Sequence, residues 1–199
     1  MRKLLAVGAM AAALGISSAA QAEGSVSAGQ EKSAVCAACH GPDGNSAIPE
    51  WPSIAGQHEN FLAAQLRAFR DGERQNPLMS PMAIGLSDQD IQDLAAFYNA
   101  QRPAALEADP ELVEHGRRIY LGGDLERGVT ACIACHGPTG QGNPLASYPV
   151  VAGQHAIYTT ATLKAYASGE RRNQMMHEIA ARMSADDMRS VSAYLQGLR

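Results

Sequence analysis

The 199-residue chain has four cysteines, which form two local pairs, each followed directly by a histidine. The first motif reads Cys-Ala-Ala-Cys-His and the second reads Cys-Ile-Ala-Cys-His. Two thiols three positions apart can add to the two vinyl groups of a porphyrin, and the adjacent imidazole can then bind its iron. The sequence therefore predicts two covalently bound c-type haems. The predicted attachment residues are Cys36, Cys39, Cys132 and Cys135, and the predicted iron ligands are His40 and His136.

Other uses of a Cys-x-x-Cys pair agree less well with the sequence. Four cysteines could form disulfides if the chain is exported, as its first residues suggest below. Two local pairs that each precede a histidine are, however, not a typical disulfide framework. A thioredoxin-like redox motif needs a βαβ frame, and no strand pattern surrounds either pair. A zinc site could use the two thiolates, but the adjacent histidine is poorly placed to complete the same tetrahedron. Covalent haem attachment is the interpretation that uses all three residues.

The motifs belong to a longer internal repeat. The stretch "WPSIAGQHENFLAAQLRAFRDGERQN" (51–76) matches "YPVVAGQHAIYTTATLKAYASGERRN" (148–173) at 12 of 26 positions with an offset of 97. The haem motifs are offset by 96, so the second half gains one residue in the loop after its motif. Solenoid repeats have periods of about 20–50 residues. This longer period indicates two copies of a whole small domain.

The repeat also selects candidates for the sixth iron ligand. Met79 aligns with Met176, whereas Met82, Met175 and Met183 align with other residue types. A methionine thioether raises the reduction potential and closes the iron, while an empty sixth position admits peroxide or other small ligands. We predict that Met79 and Met176 are the sixth ligands, and that the unmatched methionines are packing residues.

Matched histidines offer a second possibility for ligation. His58 and His155 occupy equivalent positions in "IAGQH" and "VAGQH", so two bis-histidine haems are an alternative. The position of each at the start of a helix favours a helix-start or haem-propionate hydrogen bond instead. His115 and His177 have no counterparts, and we interpret them as surface or packing residues.

Two further matched pairs are candidates to support the haem. Pro52 and Pro149 each provide a carbonyl with no local N–H partner, which could accept the ring N–H of the histidine ligand. A rigid turn is the alternative role for these prolines. Arg74 and Arg171, in the matched "GER", could pair with haem propionates or could end a solvated helix.

Helical patterns are expected to position these residues. An apolar face over residues 61–69 predicts one helix, and Ser87 with Asp90 predicts the capping pair that opens the final helix of the first half. Ser184 and Asp187 repeat that pair in the second half. No alternating strand pattern is present, so the chain is predicted to be all-α. Each half has about 85 residues, a marginal size for a core, and a buried porphyrin would add apolar mass.

The first residues have the features of an export signal. Arg2 and Lys3 precede an apolar run over residues 4–16, and a small-residue cleavage site ends at Ala22. We predict a secretory signal peptide over residues 1–22, cleaved after Ala22, and a mature protein in the periplasm. A retained N-terminal anchor is the alternative. The stretch over residues 100–112 has two prolines and mixed charge, so it predicts a linker between a first domain (23–105) and a second (106–199).

Charge is divided unevenly between the predicted domains. Without residues 1–22 the chain has 14 Lys and Arg against 20 Asp and Glu, a net charge of −6. Residues 23–107 carry 5 positive and 11 negative side chains, whereas residues 108–199 carry 9 of each. This distribution argues against nucleic acid as a partner and favours oriented docking on proteins with basic patches. A merely soluble surface is the alternative.

The chain resembles the dihaem cytochrome c4 family. The resemblance is carried by "VCAACHGPDGN", "WPSIAGQ", "NPLMSPM" and "LSDQDIQDLAAFY", with their counterparts in the second half. It implies two tandem class I cytochrome c domains, mostly helical, related by a pseudo-twofold axis and each binding one covalent haem. It also implies axial pairs of His40 with Met79 and of His136 with Met176. The second half departs from the pattern because "NQMMHEIAARMS" lacks the prolines around its methionine.

The same resemblance implies an electron carrier rather than an enzyme. Such a carrier would pass single electrons between periplasmic partners, from a donor of the quinol–cytochrome c reductase type to an acceptor of the terminal oxidase type. Two alternatives remain open: an electron-transfer subunit of a periplasmic dehydrogenase such as a flavocytochrome c, and a dihaem peroxidase. A peroxidase needs an iron that can open, and two matched methionines argue against it. Adhesion to the membrane surface also stays open.

Overall fold

The computed structural model describes residues 23–199, which form ten α-helices and two isolated β-bridges without a sheet. The predicted signal peptide over residues 1–22 lies outside the described residues. None of the helices in the described range is long and apolar enough to cross a membrane. The all-α prediction is confirmed.

The helices repeat in the same order in each half. Those of the first half are α1 (Val26–Lys32), α2 (Ala34–His40), α3 (Glu59–Arg70), α4 (Met79–Ala83) and α5 (Asp88–Asn99). Those of the second half are α6 (Val113–Gly122), α7 (Ile133–His136), α8 (Ala156–Ser168), α9 (Gln174–Ala180) and α10 (Ala185–Gly197). The sequence analysis anticipated the two longer helices of each half but not the opening helix or the short ones. Helices of four to seven residues are too short to show a clear 3.6-residue pattern.

The first and last helices of each half cross at a glycine. A Cβ atom on Gly29 in α1 would lie 2.0 Å from the carbonyl oxygen of Asp93 in α5. A Cβ atom on Gly116 in α6 would lie 1.9 Å from the carbonyl oxygen of Ser190 in α10. Both distances are far inside van der Waals contact, so only glycine permits these helix backbones to approach so closely.

Each half has its own hydrophobic core around its final helix. Helix α3 packs on α5 in the first half, and α8 packs on α10 in the second. Both final helices begin with the predicted capping boxes, at Ser87 with Asp90 and at Ser184 with Asp187. The buried core residues are Leu62, Ala63, Ile91, Leu94, Ala95, Phe97 and Tyr98 in one half, and Ile119, Tyr120, Val129, Leu163, Ala180, Met183, Met188, Val191 and Leu195 in the other.

A segment without helix, residues 101–112, joins the halves. The Asn45 side chain fixes its first part to the first half, accepting from Ala104 N at 2.7 Å and donating to Arg102 O at 3.0 Å. The linker over residues 100–112 and the division into domains 23–105 and 106–199 stay predictions.

Candidate haem sites and the interface between the halves

The predicted attachment cysteines lie on or next to helices α2 and α7. All four are half-buried, and no disulfide joins any of them. Burial raises the pKa of Cys36, and it raises the pKa of Cys132 to about 11. The thiols of Cys36 and Cys132 are therefore protonated at neutral pH, unlike the thiolates that redox motifs and zinc sites use.

Each predicted histidine ligand is the last residue of its short helix. His40 Nδ1 lies 2.8 Å from Pro52 O, and His136 Nδ1 lies 3.1 Å from Pro149 O, which confirms the predicted proline acceptors. A carbonyl can only accept, so Nδ1 carries the proton and Nε2 keeps its lone pair. Burial lowers the pKa of both rings. Each half therefore presents a neutral imidazole, the form that binds metals.

The two matched methionines have the same local frame. Asn76 Oδ1 accepts from Met79 N at 2.9 Å, and Asn173 Oδ1 accepts from Met176 N at 3.0 Å. Both methionines are half-buried. The Asn bond thus fixes the second methionine without the prolines that flank the first. Sequence reasoning missed this role of Asn76 and Asn173, although their match in the repeat was a usable signal.

His58 and His155 precede helices α3 and α8, as their helix-start interpretation expects, but each ring contacts the opposite half. His58 Nε2 lies 2.8 Å from Gln141 O. His155, which is buried, has its Nε2 2.8 Å from Ser46 O. Since a carbonyl must be the acceptor, Nε2 of both rings is a donor across the interface.

The glutamines just before these histidines also cross the interface, which the sequence analysis did not anticipate. Gln57 Oε1 accepts from Val150 N at 2.9 Å, and its Nε2 donates to Val150 O at 2.8 Å. Gln154 Oε1 accepts from Ser53 N at 2.9 Å, and its Nε2 donates to Ser53 O at 2.7 Å. Because Gln154 aligns with Gln57 and Val150 with Ser53, the contact is reciprocal.

Arg74 and Arg171 meet at a cavity of about 350 Å³ between the halves. Gln65 Oε1 accepts from Arg74 Nη1 at 2.6 Å and from Arg171 Nη2 at 2.9 Å. Burial, followed by the charge of Arg171, lowers the pKa of Arg74. The ion pairs found among residues 23–199 use other arginines, and Glu73 lines the cavity without joining them. Two close cations without a carboxylate partner form a site suited to carboxylate groups.

The two unmatched histidines have hydrogen-bond partners outside the haem motifs. His115 Nε2 is 2.9 Å from Asp187 Oδ1, and His177 Nδ1 is 2.8 Å from Tyr166 O. Burial by itself would raise the pKa of Asp187, but hydrogen bonds, from Arg127 above all, outweigh it and lower that pKa. These contacts agree with the surface or packing roles predicted for His115 and His177.

The donor set of each half suits a covalent haem better than a bare metal ion. It comprises two half-buried cysteines, an imidazole with a free Nε2 lone pair and a methionine whose backbone is fixed. In the part of the chain that the structure describes, no three His, Cys, Asp or Glu side chains converge to hold a metal ion. The cavity with two arginines adds a place for carboxylates. These residues fit the porphyrin and its propionates.

Sequence comparison defines the class of protein. The family model described as Cytochrome c matches residues 26–100 and again residues 113–199. Two tandem regions of one family, each with a haem motif and an all-helical fold, make this a chain of two cytochrome c domains. Such domains bind haem c covalently, so the protein carries two haem c groups.

Full-length relatives specify the class further. Cytochrome c4 of Azotobacter vinelandii is 44% identical over 198 residues, covering 93% of this chain and 94% of the relative. The crystal structure of reduced recombinant cytochrome c4 from Pseudomonas stutzeri matches with a TM-score of 0.86 and 41% identity, covering 88% of this chain and 100% of that one. The chain belongs to the cytochrome c4 family of dihaem electron carriers.

A relative with a different name is also similar over nearly the whole length. The thiosulfate dehydrogenase electron acceptor of Thiomonas intermedia (strain K12) is 36% identical over 204 residues, covering 98% of this chain and 90% of the relative. The chain is therefore similar over nearly its full length both to cytochromes c4 and to a protein named for accepting electrons from a dehydrogenase.

Proposed function

We propose that the protein is a periplasmic carrier that passes single electrons between respiratory proteins, from a quinol–cytochrome c reductase-type donor toward a terminal oxidase-type acceptor. Its predicted export signal (1–22) and its similarity to cytochrome c4 support this proposal. In the same proposal, residues 23–105 and 106–199 are the two domains, and one haem is attached to each through Cys36 and Cys39 or through Cys132 and Cys135. The chain performs no chemistry on a substrate.

The observation that carries the proposal is the same ligand frame in both halves. We assign His40 with Met79, and His136 with Met176, as the two pairs of side chains that would hold the haem irons. A haem held in this way supplies one-electron chemistry when bound. The proline carbonyls fix the imidazole rings and increase their basicity, and the asparagine caps fix the start of the methionine segments. A thioether in the sixth position excludes exogenous ligands.

The contacts of the rival histidines support methionine ligation. His58 and His155 each use Nε2 to donate to a carbonyl of the opposite half, at 2.8 Å in both cases. Ligation would require that contact to break and the proton to leave Nε2. We therefore assign these rings to the interface and not to the iron.

The cavity between the halves is the proposed site for the propionates. Arg74 and Arg171 supply the positive charge, and Gln65 holds both guanidinium groups in place. Anchoring the propionates here would bring both cofactors to the same interface, which favours transfer between them.

Carbon monoxide binding to the reduced holoprotein tests the ligand assignment. The optical spectrum of the wild-type protein should not change, because both irons are closed. Met79→Ala and Met176→Ala should each open one haem to carbon monoxide. The matched controls are Met82→Ala and Met175→Ala, since these methionines are 51% and 50% exposed and should leave both irons closed. Carbon monoxide binding to the wild-type protein would contradict the carrier assignment and would favour the peroxidase alternative.

A second candidate is an electron acceptor for a periplasmic dehydrogenase. The relative from Thiomonas intermedia, named a thiosulfate dehydrogenase electron acceptor, favours it. Purification of the native protein separates the candidates, because an obligate subunit remains in a stable complex with its dehydrogenase whereas a carrier elutes alone. Rapid reduction by a thiosulfate dehydrogenase with thiosulfate would support the second candidate.

A further inference from the structure

We propose that Gln57 and Gln154 are positioning residues, each fixing the carbonyl that holds the iron-binding histidine of the opposite half. The proposal rests on the assignment of His40 and His136 as iron ligands. It makes the reduction potential of each haem depend on a side chain that the other domain supplies.

The first set of hydrogen bonds connects Gln57 in the first half to the proline acceptor of the second haem motif. The Gln57 amide pairs with both backbone groups of Val150, at 2.9 and 2.8 Å. Val150 directly follows Pro149, whose carbonyl lies 3.1 Å from Nδ1 of His136. Both Gln57 and Val150 are buried, so water does not replace this contact. The position of the Pro149 carbonyl therefore depends on Gln57.

The second set of hydrogen bonds connects Gln154 in the second half to the proline acceptor of the first haem motif. The Gln154 amide pairs with both backbone groups of Ser53, at 2.9 and 2.7 Å. Ser53 directly follows Pro52, whose carbonyl lies 2.8 Å from Nδ1 of His40. Equivalent residues thus perform equivalent roles, but always across the interface and never within their own half.

A primary amide is required for this contact. It can accept from the N–H and donate to the C=O of one residue at the same time, as a neighbouring strand would. Each Oε1 also accepts from the backbone N–H of the following histidine, at 3.0 Å for both His58 and His155. The second acceptor bond fixes the rotamer, so the amide is pre-oriented toward the opposite half.

The histidines of the same motif strengthen the crossed arrangement. His155 donates to Ser46 O, and the Ser46 hydroxyl donates to Cys39 O at 3.0 Å. His58 donates to Gln141 O, in the loop that follows the second haem motif. Each Gln-His pair therefore bonds to two backbone segments that follow the haem-binding histidine of the other half.

The expected electronic consequence has a definite sign. A hydrogen bond from a ligating imidazole to a carbonyl makes the ring more basic, which favours the more highly charged ferric iron. Without the glutamine, the backbone around the proline loses two hydrogen bonds, which are buried at Val150 and part-buried at Ser53, and the carbonyl can move away from the ring. The reduction potential of the opposite haem should then rise.

The test uses the full-length holoprotein with Gln57→Leu and Gln154→Leu. Spectroelectrochemistry measures the two potentials, and haem methyl resonances assign each potential to a domain. At a fixed electrode potential, Gln57→Leu should raise the ferrous-to-ferric ratio of the second haem by about threefold, within the tenfold that 59 mV represents for one electron. The first haem should not change, and Gln154→Leu should give the reverse. Amide exchange should accelerate at Val150 in the first variant and at Ser53 in the second.

Asn60→Ala is the matched control, because the Asn60 side chain also crosses the interface, 2.5 Å from Pro144 O, without bonding either residue that follows the acceptor prolines. Neither potential should move in this control. If the leucine variants lose haem, Gln57→Asn and Gln154→Asn retain an amide that is one methylene too short, and the same crossed shifts are expected.

Several results would overturn the proposal: equal shifts of both haems, a shift confined to the variant's own domain, or unchanged potentials despite faster amide exchange. All three leave the carbon monoxide results intact. Failure of the ligand assignment appears instead in the carbon monoxide experiment, so the two failures are distinguishable.

Discussion

The final helices α5 and α10 begin with the same capping box but have different surroundings. Asp90 in the first half bonds to Ser87 and to the partly exposed Lys32. The aligned Asp187 is 2% exposed and contacts both Arg127 and His115. The repeat has kept the hydrogen bonds that start the helix while the charges around it diverged. A local motif can therefore persist while its energetic importance changes.

The haem loops differ in a second way. The extra residue of the second half is accommodated by a short 3₁₀ turn over Pro144–Ala146, followed by Ser147 with a φ of 58°. Leu145 in that turn is 97% exposed. The histidine–proline bond is nevertheless present in both halves, so the insertion is absorbed in the loop and not at the proposed ligand.

The largest expected effect is a loss of stability on substitution of the glycine at the helix crossing, a feature that both halves share. Gly29→Ala and Gly116→Ala should each destabilise their own half by about 3 kcal/mol, because the added methyl group would overlap a helix backbone. Hydrogen exchange of α5 and α10 peptides measures this loss separately for each half. Gly122→Ala, also in α6, has no atom within 4 Å of the new Cβ and serves as the control. A similar loss in the control would contradict the crossing argument.

The next largest effect is a difference in stability loss between the two capping aspartates, whose surroundings differ between the halves. Asp187→Asn should destabilise the second half by about 2 kcal/mol, since it removes a buried charge from its arginine partner, which is itself partly exposed. Asp90→Asn should cost less, because its carboxylate is more exposed and Lys32 remains solvated. Chemical denaturation of both variants measures the difference. Equal losses would show that burial of the cluster is unimportant.

The pH dependence of stability should also depend on the burial of Asp187. Hydrogen bonds, from Arg127 above all, lower the folded-state pKa of Asp187 despite its burial. The stability it contributes is therefore fully present above the unfolded pKa of about 3.9 and is lost as pH falls toward the folded pKa. Thermal unfolding of the second half should be less sensitive to pH below about 4 in Asp187→Asn than in the wild-type protein. Parallel pH profiles would exclude Asp187 as the cause.

Two core tyrosines give a smaller contrast. The Tyr120 hydroxyl donates to Gly137 O at 2.6 Å, whereas the buried Tyr98 hydroxyl makes no hydrogen bond of normal geometry within residues 23–199 and has only the Cys36 and Ser33 side chains beside it. Tyr120→Phe should cost about 1 kcal/mol and Tyr98→Phe less. Denaturant titration of the two variants checks the order, and a larger loss for Tyr98→Phe would reverse this interpretation.

The smallest effect concerns docking. Residues 23–107 have 11 acidic and 5 basic side chains, while residues 108–199 have 9 of each. If the domains dock on different partners, reduction and oxidation rates should depend on ionic strength with different slopes, the steeper one belonging to the partner of the acidic half. Stopped-flow kinetics with each candidate partner measures both slopes. Equal slopes would contradict the hypothesis that the two domains dock on different partners.

Much of the candidate site could be proposed from the sequence, whereas only part of the fold could be predicted. The haem motifs, the matched methionines and the proline acceptors were all accessible, because a repeat shows which residues two domains have in common. The opening helices α1 and α6 were missed, since their short patterns are ambiguous and their crossing depends on Gly29 and Gly116. The ligand assignment itself stays a prediction until the carbon monoxide experiment is done.

By itself the sequence determined that the chain carries two haem motifs on two copies of one helical domain, and which residues of those copies are equivalent. Only the tertiary structure decided that "AGQH" is an interface motif, with Gln57 and Gln154 crossing to Val150 and Ser53. The physical reason is that these glutamines bond to backbone groups. Almost every residue has the same N–H and C=O, so no residue type marks the partner, and only the packing of the two halves selects it.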